Sequence, residues 1–408
     1  MAASTSPGFD TDVAVIGAGL AGGVLALLLR QAGFAVTLIE AREPQPVSDA
    51  PDPRALAVTP ASRAILEQVG VWAALPPERI STFHGMQAWD AYGAIAFDDR
   101  DVGEPALGYI IESPVLQAAL EAVLGRDAGL GWQRPAGVER LQAELQCIRL
   151  GLDNGDSLTA RLAVGADGRQ SRSRLLAGIS YHEQPYPQKA LAAVVTCEQP
   201  HEQIARQRFL GDSVLAFLPL ADSHQCGIVW STPAARADEL LAMDEAAFAE
   251  TLATAFERRL GTVTAVGRRG AFPLLQAEAD RYVGERFALV GDAAHSIHPL
   301  AGQGANLGWL DAACLAEVLA ADAAGESRDP GHARRLRRYA RWRMSENRIM
   351  QQALDGLYRL FRRDEWPLRA LRGLGLRLTD HSGPLKKLLI RHAMGRAGDL
   401  PRIVTGKP

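Results

Sequence analysis

The sequence predicts an α/β protein with a discontinuous domain built on a mainly parallel sheet, a second domain built on an antiparallel sheet, and a helical C-terminal region. Three observations predict it. A strand–turn–helix–strand pattern fills the first forty residues, two later apolar runs end in Asp-Gly and Gly-Asp, and the last eighty residues carry a charged, helical pattern. The 408 residues exceed a typical single domain. Hydrophobic residues at 47% and charged residues at 22% are globular usage and exclude a largely disordered chain. With 44 Lys and Arg against 47 Asp and Glu, the net charge of −3 argues against a nucleic-acid partner.

Asp12 to Ile16 (DVAVI) is a short apolar run suited to a buried parallel strand. Gly17-Ala18-Gly19-Leu20-Ala21-Gly22 follows at once, and Leu20 to Gln31 is rich in Ala and Leu at helical length. Ala35 to Ile39 is the second strand, ending at Glu40. In such a unit the first glycine permits the tight turn, the second lets backbone approach a pyrophosphate, and the third allows helix to pack on strand. The helix N-terminus offers free N–H groups and a positive dipole end. Glu40 stands where a carboxylate accepts hydrogen bonds from ribose hydroxyls, which suits a free 2′-OH and disfavours a 2′-phosphate. The motif predicts dinucleotide binding and leaves FAD and NAD both open.

The uncharged run Val13–Leu29 is marginal in length for a membrane span, and no Lys or Arg precedes Arg30, so neither a transmembrane helix nor an export signal is expected. Cys147, Cys197, Cys226 and Cys314 show no zinc spacing and read as isolated thiols of a reducing cytosol.

Ala163 to Arg174 (AVGADGRQSRSR) reads as a strand whose Asp167-Gly168 turn lies beside the nucleotide. In Arg286–Asp311 (RFALVGDAAHSIHPLAGQGANLGWLD), Phe287 to Val290 is a buried strand, and Gly291-Asp292 puts a carboxylate at its C-terminal edge, where ligands of such sheets bind. His298-Pro299 predicts a rigid loop. Gly302-Gln303-Gly304-Ala305-Asn306 then opens a helix from about Leu307 to Ala321, a second anion site.

Taken together, Gly17 to Gly22 with Glu40, Asp167-Gly168, and Gly291-Asp292 with His298-Pro299 resemble the class A flavoprotein aromatic monooxygenases. The stretch His298 to Asp311 resembles, position for position, the signature of the ubiquinone-biosynthesis hydroxylases, the UbiH/UbiI/UbiF group. Asp52-Pro-Arg54, Ile111 to Gln117, Ala216 to Leu220 and Gly398 to Pro401 are similar as well. One departure stands out: many class A relatives carry an Arg where this chain has Ser113 or Pro114.

This resemblance implies a Rossmann-like FAD-binding domain and a ring hydroxylase that uses O₂. FAD would be reduced by NADPH or NADH, and oxygen would pass from a flavin C4a-hydroperoxide to a polyprenylated phenol or quinol. It implies cofactor contacts at Gly17, Ala18, Gly19, Ala21, Gly22, Glu40, Ala41, Arg42, Arg54, Gln117, Asp167, Gly291, Asp292, Pro299, Gly302, Gly304, Ala305 and Asn306. His298 and Pro299 are the catalytic candidates beside the flavin, and Phe217 and Pro219 the candidate pocket wall. No metal site is expected. A hydroxylase of a soluble aromatic compound and a non-catalytic FAD-binding scaffold of a quinone-synthesis complex are the alternatives.

The expected FAD-binding domain takes 8–80, 105–185 and 271–330, the substrate domain 81–104 and 186–270, and the helical region 331–408. Segment 366–396 carries seven Lys and Arg against one Asp among Leu and Ile at helical spacing. Such a face suits an anionic membrane surface, and a solvated tail or a subunit interface is the alternative. The chain is therefore expected in the cytoplasm, peripheral on the inner face of the membrane, with other ubiquinone-biosynthesis proteins as partners.

Overall fold

The computed structural model describes residues 8–297, 303–321, 329–362 and 383–406. His298, Pro299 and Gly302, and the 366–382 part of the basic segment, lie outside the described residues.

Five strands form a parallel core in the order Gly131–Gln133, Val36–Ile39, Thr11–Ile16, Ser157–Gly165, Phe287–Leu289. They come from four distant parts of the chain, which makes this unit discontinuous. Their runs VAVI, VTLI and FAL are buried, as expected of a parallel sheet covered on both faces. The helices Leu20–Gln31 and Gly304–Ala320 cover it with almost wholly buried Ala and Leu. Because the strands run parallel, their C-terminal ends share one edge. Gly17, Glu40, Arg134, Ala166 and Val290 leave from that edge.

The second sheet has nine strands. Its order runs His295–Ser296, Gly270–Ala279, Tyr181–Cys197, Gln225–Pro233, Val214–Pro219, Ile204–Phe209, Gly85–Trp89, Ala94–Asp98, with Val263–Val266 also paired to Tyr181–Cys197. All these pairs are antiparallel except Ile204–Phe209 with Gly85–Trp89. One face packs on the helices Ala234–Ala242 and Glu245–Ala255 through Leu215, Phe217, Ile228, Trp230, Phe248 and Phe256. The other face looks toward the nucleotide domain.

Two boundaries differ from expectation. Tyr181–Cys197 runs through the expected break at 185/186; Pro185 and Pro187 do not end it but coincide with a register shift between Pro185 and Lys189. Gly270–Ala279 pairs along this strand and so joins the nine-stranded sheet, not the parallel one. A three-stranded sheet (Ala55–Val58, Gly108–Glu112, Ser81–Phe83) lies in the segments between them. The long helix Ala333–Arg362 docks on the nucleotide domain through buried Leu336, Tyr339, Arg343 and Asn347. The helix Gly383–Ala393 and the turn after it bury Ile390 and Met394 against Leu107, Phe83, Met86 and Phe97.

Candidate active site

At the parallel sheet edge, Gly17 has φ +102°, and a Cβ there would lie 2.5 Å from the Ala166 carbonyl oxygen. Gly22 presses still closer, since its Cβ would sit 2.0 Å from the Gly17 oxygen. Gly19 differs: a Cβ would meet nothing within 4 Å. It is the N-cap of the helix, with no side-chain cap and no acidic residue in the first turn. The helix N-terminus is thus left open for an anion. Glu40 closes the turn from the neighbouring strand. Its Oε2 accepts from the Ala18 N–H at 2.8 Å and its Oε1 from the Arg42 N–H at 3.0 Å. Gln117 Nε2 donates to the Ala18 carbonyl at 3.0 Å. Ala18, Gly19, Glu40, Arg42 and Gln117 line a groove of about 420 Å³. Ala41 is exposed, while Ala21 faces inward, its Cβ 3.1 Å from where a Cβ on Gly291 would be.

Asp167 is placed otherwise than expected. Its carboxylate accepts from the Ser171 hydroxyl at 2.5 Å and from the Ser173 N–H and hydroxyl at 2.9 and 2.7 Å. It therefore orders the turn into the helix Arg172–Leu176, behind the Ala166 backbone that touches Gly17. Asn306 is a second correction. It is 2% exposed, its Nδ2 donates to the Ala57 carbonyl at 2.8 Å and its Oδ1 accepts from the Thr59 N–H at 3.1 Å. Its amide ties two elements of the site together instead of facing into it.

The second opening is a cavity of about 670 Å³ between the two sheets. Gly291, with φ +60°, turns the chain so that Asp292 lines this cavity. Enclosing protein pushes the Asp292 carboxyl above its ordinary pKa. Gln303, Gly304 and Ala305 line the same space at the N-terminus of Gly304–Ala320, which again has no side-chain cap. Arg54 and Ser113 line both the groove and the cavity and so mark where the two meet. Arg54 is paired with Asp52 at 2.9 Å and is otherwise exposed.

Beyond that junction the wall is mostly apolar, with Phe83, Met86, Phe97, Leu107, Leu218 and Met394, and Thr59, Gln207, Ser231 and Ser296 add polar groups. The expected wall residues Phe217 and Pro219 are not among them. Phe217 is 2% exposed on the opposite face of its strand, stacked on Phe256 with ring centroids 3.7 Å apart. Successive strand residues face opposite ways, so Val214, Ala216 and Leu218 line the cavity while Leu215, Phe217 and Pro219 turn away.

The two openings test whether FAD fits. Two uncapped helix N-termini face spaces joined at Arg54, a carboxylate lies at ribose reach, and the glycine nearest the first terminus has room beside it. This donor set suits a dinucleotide with a pyrophosphate at one terminus and an electron-accepting ring at the other. Among the described residues no His, Cys, Asp and Glu group could hold a metal ion.

A family model described as FAD binding domain matches residues 10–347. The chain is 39% identical to the 3-demethoxyubiquinol 3-hydroxylase of Escherichia coli, over 94% of this chain and 98% of that protein. It is 35% identical to ubiquinone hydroxylase UbiL of Rhodospirillum rubrum, over 97% of this chain and 93% of that one. Among solved structures, p-nitrophenol 4-monooxygenase from Pseudomonas putida shares the fold, with a TM-score of 0.76 at 18% identity over 95% of this chain and 99% of that chain.

Proposed function

Because the chain belongs to the FAD-binding-domain family and is an FAD-dependent monooxygenase within it, we propose that it hydroxylates the aromatic ring of a polyprenylated phenol or quinol in ubiquinone biosynthesis. One observation carries the reading. The large cavity is apolar over most of its wall and meets the groove at Arg54, so a greasy substrate and a dinucleotide can share one site.

FAD, reduced by NADPH or NADH, supplies the redox and O₂ chemistry. The chain's own residues bind, orient and shield. The open terminus at Gly19 would hold the pyrophosphate and Glu40 the ribose. Asp292 would hold the flavin side of the cofactor, and the terminus at Gly304 would stabilise negative charge that gathers on the ring. Ala216, Leu218, Phe83 and Met86 would keep water from the reacting carbon. His298 and Pro299 remain proposals for the loop beside the ring. The three-part division of the chain is likewise proposed, with the nine-stranded sheet as the substrate-side unit.

Among the described residues no helix is long and apolar enough to cross a membrane. We place the protein in the cytoplasm with peripheral contact through the basic C-terminal segment, and other proteins of the same pathway as partners. Lys387 and Arg391 are exposed and suit that contact. Lys386 does not, because its ammonium pairs with Asp101 at 3.1 Å and is 17% exposed. The test is deletion of the gene in its host, followed by identification of the aromatic intermediate that accumulates. A polyprenyl phenol lacking one ring hydroxyl is expected; an unchanged quinone pool would overturn the assignment.

A further inference from the structure

Behind the Gly291–Asp292 turn lies a buried polar cluster that the chemistry above does not use. Asp311 is 0% exposed in the mainly apolar helix Gly304–Ala320, whose other acid, Glu317, is partly exposed and pairs with Arg402 instead. Its Oδ2 accepts from the Gly291 N–H at 3.0 Å and lies 2.6 Å from His295 Nε2. Its Oδ1 accepts from Arg343 Nε at 2.7 Å and from Asn347 Nδ2 at 3.2 Å. Arg343 Nη2 also donates to Asn347 Oδ1 at 2.7 Å, and the Tyr282 ring stacks on His295 with centroids 5.8 Å apart.

Three features point past simple anchoring. A buried ion pair is a poor source of stability, since apolar residues of similar volume often do as well. A pair such as Asp311 with Arg343 therefore calls for a role in geometry. One oxygen grips both ends of the turn that carries Asp292, at Gly291 and at His295. The turn is fixed between them as well: Tyr181 donates to the Asp292 carbonyl at 3.1 Å, and Arg174 to the Ala293 carbonyl at 2.8 Å. The inward bonds go to backbone and to His295, while the Asp292 carboxyl lines the cavity. Gly291 is also pressed toward Ala21 in the first turn of the phosphate-side helix, so a slack turn would disturb both ends of the cofactor.

We infer that Asp311 is a positioning residue for the flavin. Its carboxylate, braced by Arg343 and Asn347 of the long helix, holds the Gly291–His295 turn in the shape that aims Asp292 at the cofactor. This rests on the reading of the Asp292 side as the flavin site. Asp311 touches neither cofactor nor substrate and acts through Asp292.

The test is a double-mutant cycle on FAD affinity, read by quenching of flavin fluorescence as apoprotein is titrated, with the melting temperature of each apoprotein measured alongside. Asp311→Asn keeps the shape but turns one acceptor oxygen into an amide donor that faces existing donors. It should weaken FAD about tenfold or more in the wild-type background, and by less than about threefold once Asp292→Ala has removed the group it aims. Equal losses in both backgrounds, or a lower melting temperature with unchanged affinity, would show a plain structural anchor and overturn the inference. Should Asp311→Asn not fold, His295→Gln and His295→Leu replace it. Gln keeps a donor toward Oδ2 and should hold affinity near wild type, whereas Leu should lose it; equal effects would overturn the inference. Wild-type apoprotein that binds no FAD would instead sink the flavin reading itself, so the two failures are distinguishable.

Discussion

Gly19 and Gly22 belong to one turn, yet substitutions at the two positions should fail for opposite reasons. At Gly22 a Cβ would lie 2.0 Å from the Gly17 oxygen and 2.9 Å from the Ala166 Cβ. Backbone has to open by about 1 Å to reach even a tight contact. Overpacking costs roughly 1–3 kcal/mol where side chains can shift, and here the opposing atom is backbone, so Gly22→Ala belongs at the top of that range. At Gly19 the backbone is extended, with φ −67° and ψ −177°, and nothing lies within 4 Å. Gly19→Val should therefore cost the apoprotein only about 1 kcal/mol through the poorer N-cap, a few degrees of melting temperature at most. Its loss falls on FAD, because the methyl groups occupy the space where pyrophosphate must touch backbone. Each hydrogen bond to a charged group is worth about 1.5–3 kcal/mol, so losing one raises Kd by roughly ten- to a hundredfold. Thermal melts of the apoproteins and flavin titrations separate the two effects. The purified Gly19→Val protein should be folded and nearly colourless. Wild-type FAD affinity in Gly19→Val would take the pyrophosphate away from this helix terminus, and a wild-type melt in Gly22→Ala would show that the turn is not closed against Gly17.

Neighbouring residues of the strand Val214–Pro219 should also part company. Ala216→Phe should raise KM for the quinol while FAD stays bound, whereas Phe217→Ala should leave KM near wild type and destabilise the fold by about 3–5 kcal/mol, seen in denaturant melts. The Asp311 carboxyl feels burial, which alone would raise its pKa, but His295 and Arg343 more than offset this and hold it at about 2. That is below the unfolded value of about 3.9, so its contribution to stability is complete above pH ~4 and is lost as pH falls toward 2. Asp311→Asn should flatten this acid limb of the melting curve. Reversing Lys387 and Arg391 to Glu should cut binding to anionic liposomes by more than about tenfold, at roughly 1 kcal/mol per cation, with FAD retained; undiminished binding would remove the membrane contact.

The sequence carries the fold well where strand and helix periods are strong. The strand before Gly17, the helix Leu20–Gln31, the strand ending at Ile39 and the strand beginning at Phe287 all stand where their patterns put them. It carries less where a residue's direction depends on a partner far along the chain. Phe217 is apolar and beside the site, but only its alternation with Ala216 and Leu218 tells that it turns away. Asp167 and Asn306 sit in cofactor motifs, yet serines at 171 and 173 and the backbone at 57 and 59 take up their side chains. Asp311 had a visible signal, an acid flanked on both sides by apolar residues in a mainly apolar helix. Its partner Arg343 lies on another helix, so sequence spacing could not join them. The cavity wall drew on Phe83, Met86, Leu107 and Met394, which only tertiary packing gathers.

Ring hydroxylation should take its oxygen from O₂ on a flavin held at this sheet edge. Its most direct measurement is turnover of a short-tailed phenol or quinol under ¹⁸O₂, with NAD(P)H consumption followed in parallel. Substrate should strongly speed NAD(P)H oxidation, hydroxylated product should approach one per NAD(P)H, and the new ring hydroxyl should carry ¹⁸O. A hydroxyl labelled from H₂¹⁸O, or NAD(P)H consumption indifferent to the phenol, would contradict it.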